Sequence, residues 1–394
     1  MDLKSGLKPV PTEAQLAATG TAQIQVSLDP SSANAATDEL LAAMLRANPR
    51  VSDLIFSPGR NLQVQVNAQL MTVELKGLSS LTADDTRRIA SDLIGNNKPA
   101  IAMLREQGYC DVSYALPGLA RFRVNVFIQR GSCAVVMRVI PTGIPDFKAL
   151  GLPELLRDIG ALRDGMVLVT GPRGSGKSST LAALLDHINA TETCHIITIE
   201  DPIEFLHNHK RATVHQRELH SDTPSVSHAL RAALRQAPNV IVVGELKDQE
   251  TMELALEAAE TGHLVLSTLN TLDAQQTVGR FVGAFSAAEQ PATRERLARM
   301  LRYVISQRLI PRKQDGGRVA VFEILKSGSG ALEQLLETNE ASSHTYRESS
   351  QSDLISFDAE IERLVRAGIV SPEIALAHAT DARELEKKLA VPGK

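Results

Sequence analysis

The 394-residue chain has no tryptophan, four tyrosines and nine phenylalanines. Platforms for single-stranded nucleic acid are built from such side chains, so that class of partner is disfavoured. The net charge of -4 points the same way, offering no general attraction to a phosphate backbone. Only three cysteines occur, Cys110, Cys133 and Cys194, and none forms a C-x-x-C pair. A disulfide framework or a four-cysteine zinc site is therefore not expected. Histidines crowd between His187 and His228, but at no simple zinc spacing. No apolar run is long enough to span a bilayer, and the opening stretch has no apolar core like that of a signal peptide. These absences lead us to expect a reduced, cytoplasmic chain that meets a membrane only peripherally.

What is present is ordinary globular material, 43% hydrophobic and 22% charged, long enough for two or three domains. Residues 1–36 are rich in Ala, Ser, Thr and Pro and read as a flexible tail. Residues 37–142 read as a mixed α+β domain. Thr37 or Asp38 is its expected first helix cap, and alternating stretches such as "ARFRVNVFIQ" are its strands. Two turn signals in "PTGIPDFKALGLP" suggest a hinge over 143–150. From 151 to 330 short apolar runs alternate with helices: "MVLVT", "CHIITIE", "NVIVVGE", "HLVLSTL" and "RVAVFEIL". Strands buried on both faces of a parallel α/β sheet have this texture. Amphipathic helices are expected across 331–394.

One segment carries chemistry outright. Gly171, Pro172, Arg173, Gly174, Ser175, Gly176, Lys177 and Ser178 fit G-x-x-x-x-G-K-[ST], followed by Ser179. Glycines at this spacing let backbone N–H groups converge on phosphate oxygens. Lys177 then faces the β- and γ-phosphates, and Ser178 offers a hydroxyl to Mg²⁺. The segment follows an apolar run and precedes a helical one, so the phosphates would meet a helix N-terminus. ATP or ADP with Mg²⁺ is the expected ligand.

Three later segments, "TIEDPIEF", "VGELKD" and "TGHLVLSTLNT", follow in that order. Together with the P-loop they resemble the Asp, Walker B and His boxes of the type II/IV secretion ATPases. Within that superfamily the chain is most similar to the retraction ATPases of type IV pili. The larger N-terminal region and four-cysteine module usual in the extension and secretion branches are not seen. The resemblance implies a PAS-like N-terminal domain, a RecA-like P-loop ATPase domain and C-terminal helices, assembled as a homohexamer. It further implies an inner-membrane platform protein as partner, with a paralogous ATPase as a second candidate and no nucleic acid.

On this resemblance Glu200 is expected to polarise the attacking water from a strand beside the P-loop strand, with Glu204 and Asp201 as competitors. Glu245 is expected to help hold Mg²⁺ together with Ser178. Arg231 and Arg235, one turn apart on an expected helix, would share a face and meet phosphates or a neighbour's carboxylates. Arg123 and Arg138 would bring charge to the nucleotide from the N-terminal domain. His263 either senses the γ-phosphate or sits satisfied in the core. The pattern also departs from the family. Asn270 stands where the His box has its second histidine, and Lys247 where arginine is common. Arg173 is unusual in the P-loop. Glu333 and Glu337 in "ALEQLLE" replace arginines of a helix important for retraction, and both acids would face a partner. An accessory ring subunit acting with an active paralogue is the alternative reading.

Overall fold

The computed structural model describes residues 33–337 and 354–390, apart from positions 68, 76–79, 141–142 and 315–316. Most of the expected tail, residues 1–32, lies outside them. The chain divides into two compact units, one ending at residue 142 and the other starting at residue 143.

In the first unit, helix α1 (Ala33–Arg46) begins before the expected caps. Thr37 and Asp38 lie inside it and hold neighbours instead: the Thr37 hydroxyl donates to Asp92 at 2.6 Å, and Asp38 accepts from the Tyr114 hydroxyl at 2.6 Å. Six antiparallel strands follow in the order β3-β2-β1-β6-β5-β4. They are β1 (Val51–Phe56), β2 (Leu62–Val66), β3 (Gln69–Val73), β4 (Tyr109–Leu116), β5 (Ala120–Gln129) and β6 (Ser132–Ile140). Along β2, Leu62, Val64 and Val66 are buried while Gln63 and Gln65 are only partly covered. That is the alternation of a sheet with one face on a core. Helix α2 (Ala83–Ile94) is opened by a reciprocal cap between Thr82 and Asp85, and α3 (Lys98–Gln107) by Asn97. Both helices supply residues to the same core as the sheet.

The second unit holds a sheet of eight strands in the order β14-β13-β12-β7-β11-β10-β8-β9. They are β7 (Gly165–Thr170), β8 (His195–Glu200), β9 (Thr213–Glu218), β10 (Val240–Val243), β11 (Leu264–Leu269), β12 (Leu301–Pro311), β13 (Arg318–Lys326) and β14 (Leu354–Ile355). The strands from β12 to β9 run parallel, while β13 and β14 are antiparallel additions. Every residue of β7, β10 and β11 is buried, which explains their unbroken apolar runs. Alternate side chains of β7 feed opposite cores. Met166 and Leu168 join one with Ala255 and Phe281; Val167 and Val169 join the other with Leu184 and Ile188.

After a short helix at Phe147–Leu150 and a 3-10 segment at Glu154–Ala161, this unit's helices among the described residues are α4 (Lys177–Thr191), α5 (Val226–Ala233), α6 (Gln249–Glu260), α7 (Ala274–Val282), α8 (Gln290–Met300), α9 (Ala331–Glu337), α10 (Phe357–Arg366), α11 (Pro372–His378) and α12 (Ala382–Ala390). Helix α9 corrects one expectation. The Glu333 carboxylate turns back to accept the Gly328 N–H at 2.6 Å, so it ties down the turn that leads into the helix. The Glu337 side chain lies outside the described residues.

Candidate nucleotide site

The P-loop leaves β7 at its C-terminal end and runs into α4, whose N-cap is Gly176 in the left-handed region at φ 91°. Gly171 has φ +148°, and a Cβ there would lie 2.3 Å from the carbonyl oxygen of Gln307. A Cβ on Gly176 would lie 2.8 Å from Gln307 Nε2. Both glycines are therefore demanded by backbone shape and by close approach. The resulting cradle matches the donor set a chain of phosphates needs. The Lys177 ammonium lies across its mouth, donating to the carbonyls of Gly171 at 2.8 Å and Pro172 at 3.0 Å. Burial holds its pKa below the usual lysine value, against the opposing pull of Glu245 and Glu204.

From the loop a cleft of about 630 Å³ runs along the C-terminal edge of the sheet, lined by Arg173, Gly174, Lys177, Ser178, Glu200, Glu204, Glu245 and Asn270 among others. Glu200 ends β8, which is not beside the P-loop strand as expected: β11 and β10 lie between them. It is nevertheless in the cleft, because parallel strands end along one edge. Its Oε1 accepts from the Thr198 hydroxyl at 2.6 Å and from Gln216 Nε2 at 2.9 Å. Burial raises its pKa, the two hydrogen bonds only partly opposing this. Its competitors differ: Glu204 and Asp201 are exposed, and Asp201 pairs with Lys247 at 3.6 Å.

Glu245 follows β10 through Gly244, whose carbonyl accepts the Thr268 hydroxyl at 2.6 Å. Its Oε1 accepts from Asn270 Nδ2, so the departure in the His box reaches the Walker B acid directly. Ser178, Glu245 and Asn270 give the oxygen-rich surroundings that Mg²⁺ prefers, next to the phosphate cradle.

Three expected residues of this unit, His263, Arg231 and Arg235, lie outside the cleft. His263 precedes β11 at the opposite edge of the sheet, roughly 20 Å from its C-terminal end at about 3.3 Å per residue. Its Nδ1 lies 2.9 Å from the Ala258 carbonyl. It cannot sense a phosphate in its own cleft. Arg231 pairs with Glu250 at 2.8 Å. Arg235 lies beyond the end of α5, so the shared helix face is not formed; its guanidinium donates to the Arg231 carbonyl at 3.0 Å. Neither arginine lines the cleft. Arg123 and Arg138 belong to the first unit and face each other across β5 and β6, with Arg138 paired to Asp53 at 2.9 Å.

Sequence reasoning missed three residues that hold the site. Gln216 on β9 donates to both Glu200 and the Phe205 carbonyl while accepting the His207 N–H at 2.8 Å, which ties the acidic loop to the sheet. Thr198 fixes Glu200. Gln307 on β12 supports the P-loop from below. The signal for β12 was present in the β-branched run Val304-Ile305, but an amphipathic stretch leads directly into it.

Comparison with known proteins agrees with this geometry. Residues 118–366 match the family model described as type II/IV secretion system protein. The chain belongs to the type II/IV secretion ATPase family. It is 40% identical over 339 residues to the type IV pilus retraction ATPase PilT of Pseudomonas aeruginosa, covering 86% of this chain and 96% of that one. It is 36% identical over 336 residues to the type IV pilus ATPase PilU of the same organism, covering 85% and 86%. A crystal structure of the pilus retraction motor PilT with bound ADP superposes with a TM-score of 0.80 at 39% identity, covering 89% of this chain and 98% of that one. The second unit is thus an ATPase domain. Among the described residues no helix is long and apolar enough to cross a membrane.

Proposed function

We propose that this chain is an ATP-driven motor of type IV pilus retraction. It works as a homohexamer at the cytoplasmic face of the inner membrane and acts on a membrane platform protein. The observation that carries the proposal is an intact catalytic edge, with Lys177, Glu200 and Glu245 lining one cleft, in a chain matching PilT over nearly its whole length. Bound Mg²⁺ would neutralise phosphate charge as the phosphoryl group leaves. Lys177 would meet the β- and γ-phosphates, while Ser178 and Glu245 would hold the ion. Ionised Glu200 orients a water and accepts its proton, held in place by Thr198 and Gln216. In a closed ring Arg123, Arg138, Arg231 and Arg235 would turn to a nucleotide or a neighbour's carboxylates, Arg138 leaving Asp53 and Arg231 leaving Glu250, which would link closure to hydrolysis.

Asn270 favours one second reading. With an amide on Glu245 in place of a second histidine, the chain would bind ATP, turn it over slowly and assist an active paralogue. Deleting the gene in its host and measuring retraction of single pili by tethered-bead displacement tests the proposal. Retraction should be lost and return with the wild-type chain. Unchanged retraction would overturn the motor reading, and partial loss with full ATPase activity of a paralogue would support the second.

A further inference from the structure

Gln307 lies on the middle of β12, buried to 3% exposure beneath the P-loop. Its side-chain amide spans two parts of the phosphate cradle. Nε2 donates to the Ser175 carbonyl at 2.8 Å, and Oε1 accepts from the Thr180 hydroxyl on α4 at 2.7 Å. The Ser175 bond fixes which end of the amide faces the loop, since a carbonyl oxygen can only accept and must meet the NH₂; the Thr180 hydroxyl then donates to the oxygen. The Gln307 backbone carbonyl and Nε2 also occupy the space beside Gly171 and Gly176. One residue therefore touches both motif glycines, the carbonyl just before Gly176 and the first turns of the helix that follows.

We infer that Gln307 is a positioning residue for the ATPase reaction: it shapes the P-loop so that its N–H groups converge on the phosphates. It contacts no reacting atom and acts through Ser175, Gly171 and Gly176. A carbonyl pulled down at Ser175 orients the following peptide N–H toward the cradle, because the two groups of a planar peptide point in opposite directions. A loop that must be ordered on each binding event loses affinity, whereas a preformed one does not.

The test is binding of a fluorescent ADP analogue and steady-state ATP turnover by the full chain carrying Gln307→Met. This substitution keeps side-chain length and removes both hydrogen bonds. Loss of two buried bonds should weaken ADP binding and raise KM by about tenfold or more, with kcat falling less. The melting temperature without nucleotide should fall by only a few degrees. Wild-type affinity in the folded variant would overturn the inference, as would equal losses of stability and kcat with KM unchanged. Should Gln307→Met not fold, Thr180→Val decides, since it frees the amide without touching Gln307. ADP binding should weaken by about threefold or more and recover in Thr180→Ser, which retains the hydroxyl. Unchanged binding in Thr180→Val would overturn the inference equally.

Discussion

The two edges of the second unit's parallel strands are built from the same segments and do opposite work. At the C-terminal edge, β7, β8, β10 and β11 lead to Lys177, Glu200, Glu245 and Asn270, which line one cleft. Their polar groups are held from beside or below by Thr198, Gln216, Thr268 and Gln307. At the N-terminal edge, His195 and His263 bond to nearby backbone. His195 Nδ1 lies 3.3 Å from the Ala237 carbonyl, and His263 Nδ1 lies 2.9 Å from that of Ala258. One edge presents groups to a ligand and the other closes the structure. A residue's end of the strand therefore says more about its role than its chemical type does.

Breaking the catalytic edge should have the largest effect. Lys177→Ala removes the fixed positive charge of the cradle, and ATP turnover should fall by about 10²–10³ or more. Turnover near wild type in a coupled phosphate-release assay would take the P-loop out of the reaction.

The next effect is one of pH. In the proposed reaction Glu200 works as a carboxylate, and burial raises its pKa above the ordinary 4.5. Turnover should therefore fall on the acid side at a pH above that value, by about tenfold per unit once Glu200 is protonated. The sign for stability is opposite. Between the unfolded and folded values the folded state binds more protons, so stability falls as pH rises through that window. The penalty is present at neutral pH and gone below the window. Glu200→Gln removes it, and its neutral-pH melting temperature should rise by roughly 2–4 °C in differential scanning fluorimetry. A lower melting temperature would mean that the two hydrogen bonds outweigh the buried charge.

The smallest effect belongs to the other edge. His263→Ala loses one backbone hydrogen bond and should cost about 0.5–1.5 kcal/mol of stability in a denaturant titration. Its turnover per folded chain should stay within about threefold of wild type. A much larger loss of turnover would show that this edge communicates with the cleft after all.

The sequence alone revealed the P-loop, the strands that carry Glu200 and Glu245, and the mixed α/β texture of both units. These signals are local: glycine spacing, apolar runs and a carboxylate at a strand end. What it hid depends on tertiary pairing. Strand order, which separates β8 from β7 by β11 and β10, is not written in any window. Nor is the placement of His263, since a box motif names residues without saying which edge of the sheet each occupies. Glu333 looked like a charge offered outward, yet it bonds a turn five residues back. Gln216 and Gln307 were passed over because an uncharged amide in a strand carries no signal until its partners are known.

The central claim is that the C-terminal edge both binds and hydrolyses ATP, with Glu200 serving only the second step. Parallel ATP-binding and turnover measurements on Glu200→Gln test it most directly. The amide keeps an oxygen to accept from Thr198 and Gln216 but cannot take a proton from water. The account predicts ATP affinity within about threefold of wild type and turnover reduced by about 10²-fold or more. Turnover within a few-fold of wild type, with binding intact, would contradict it and move the catalytic role to Glu204 or Asp201.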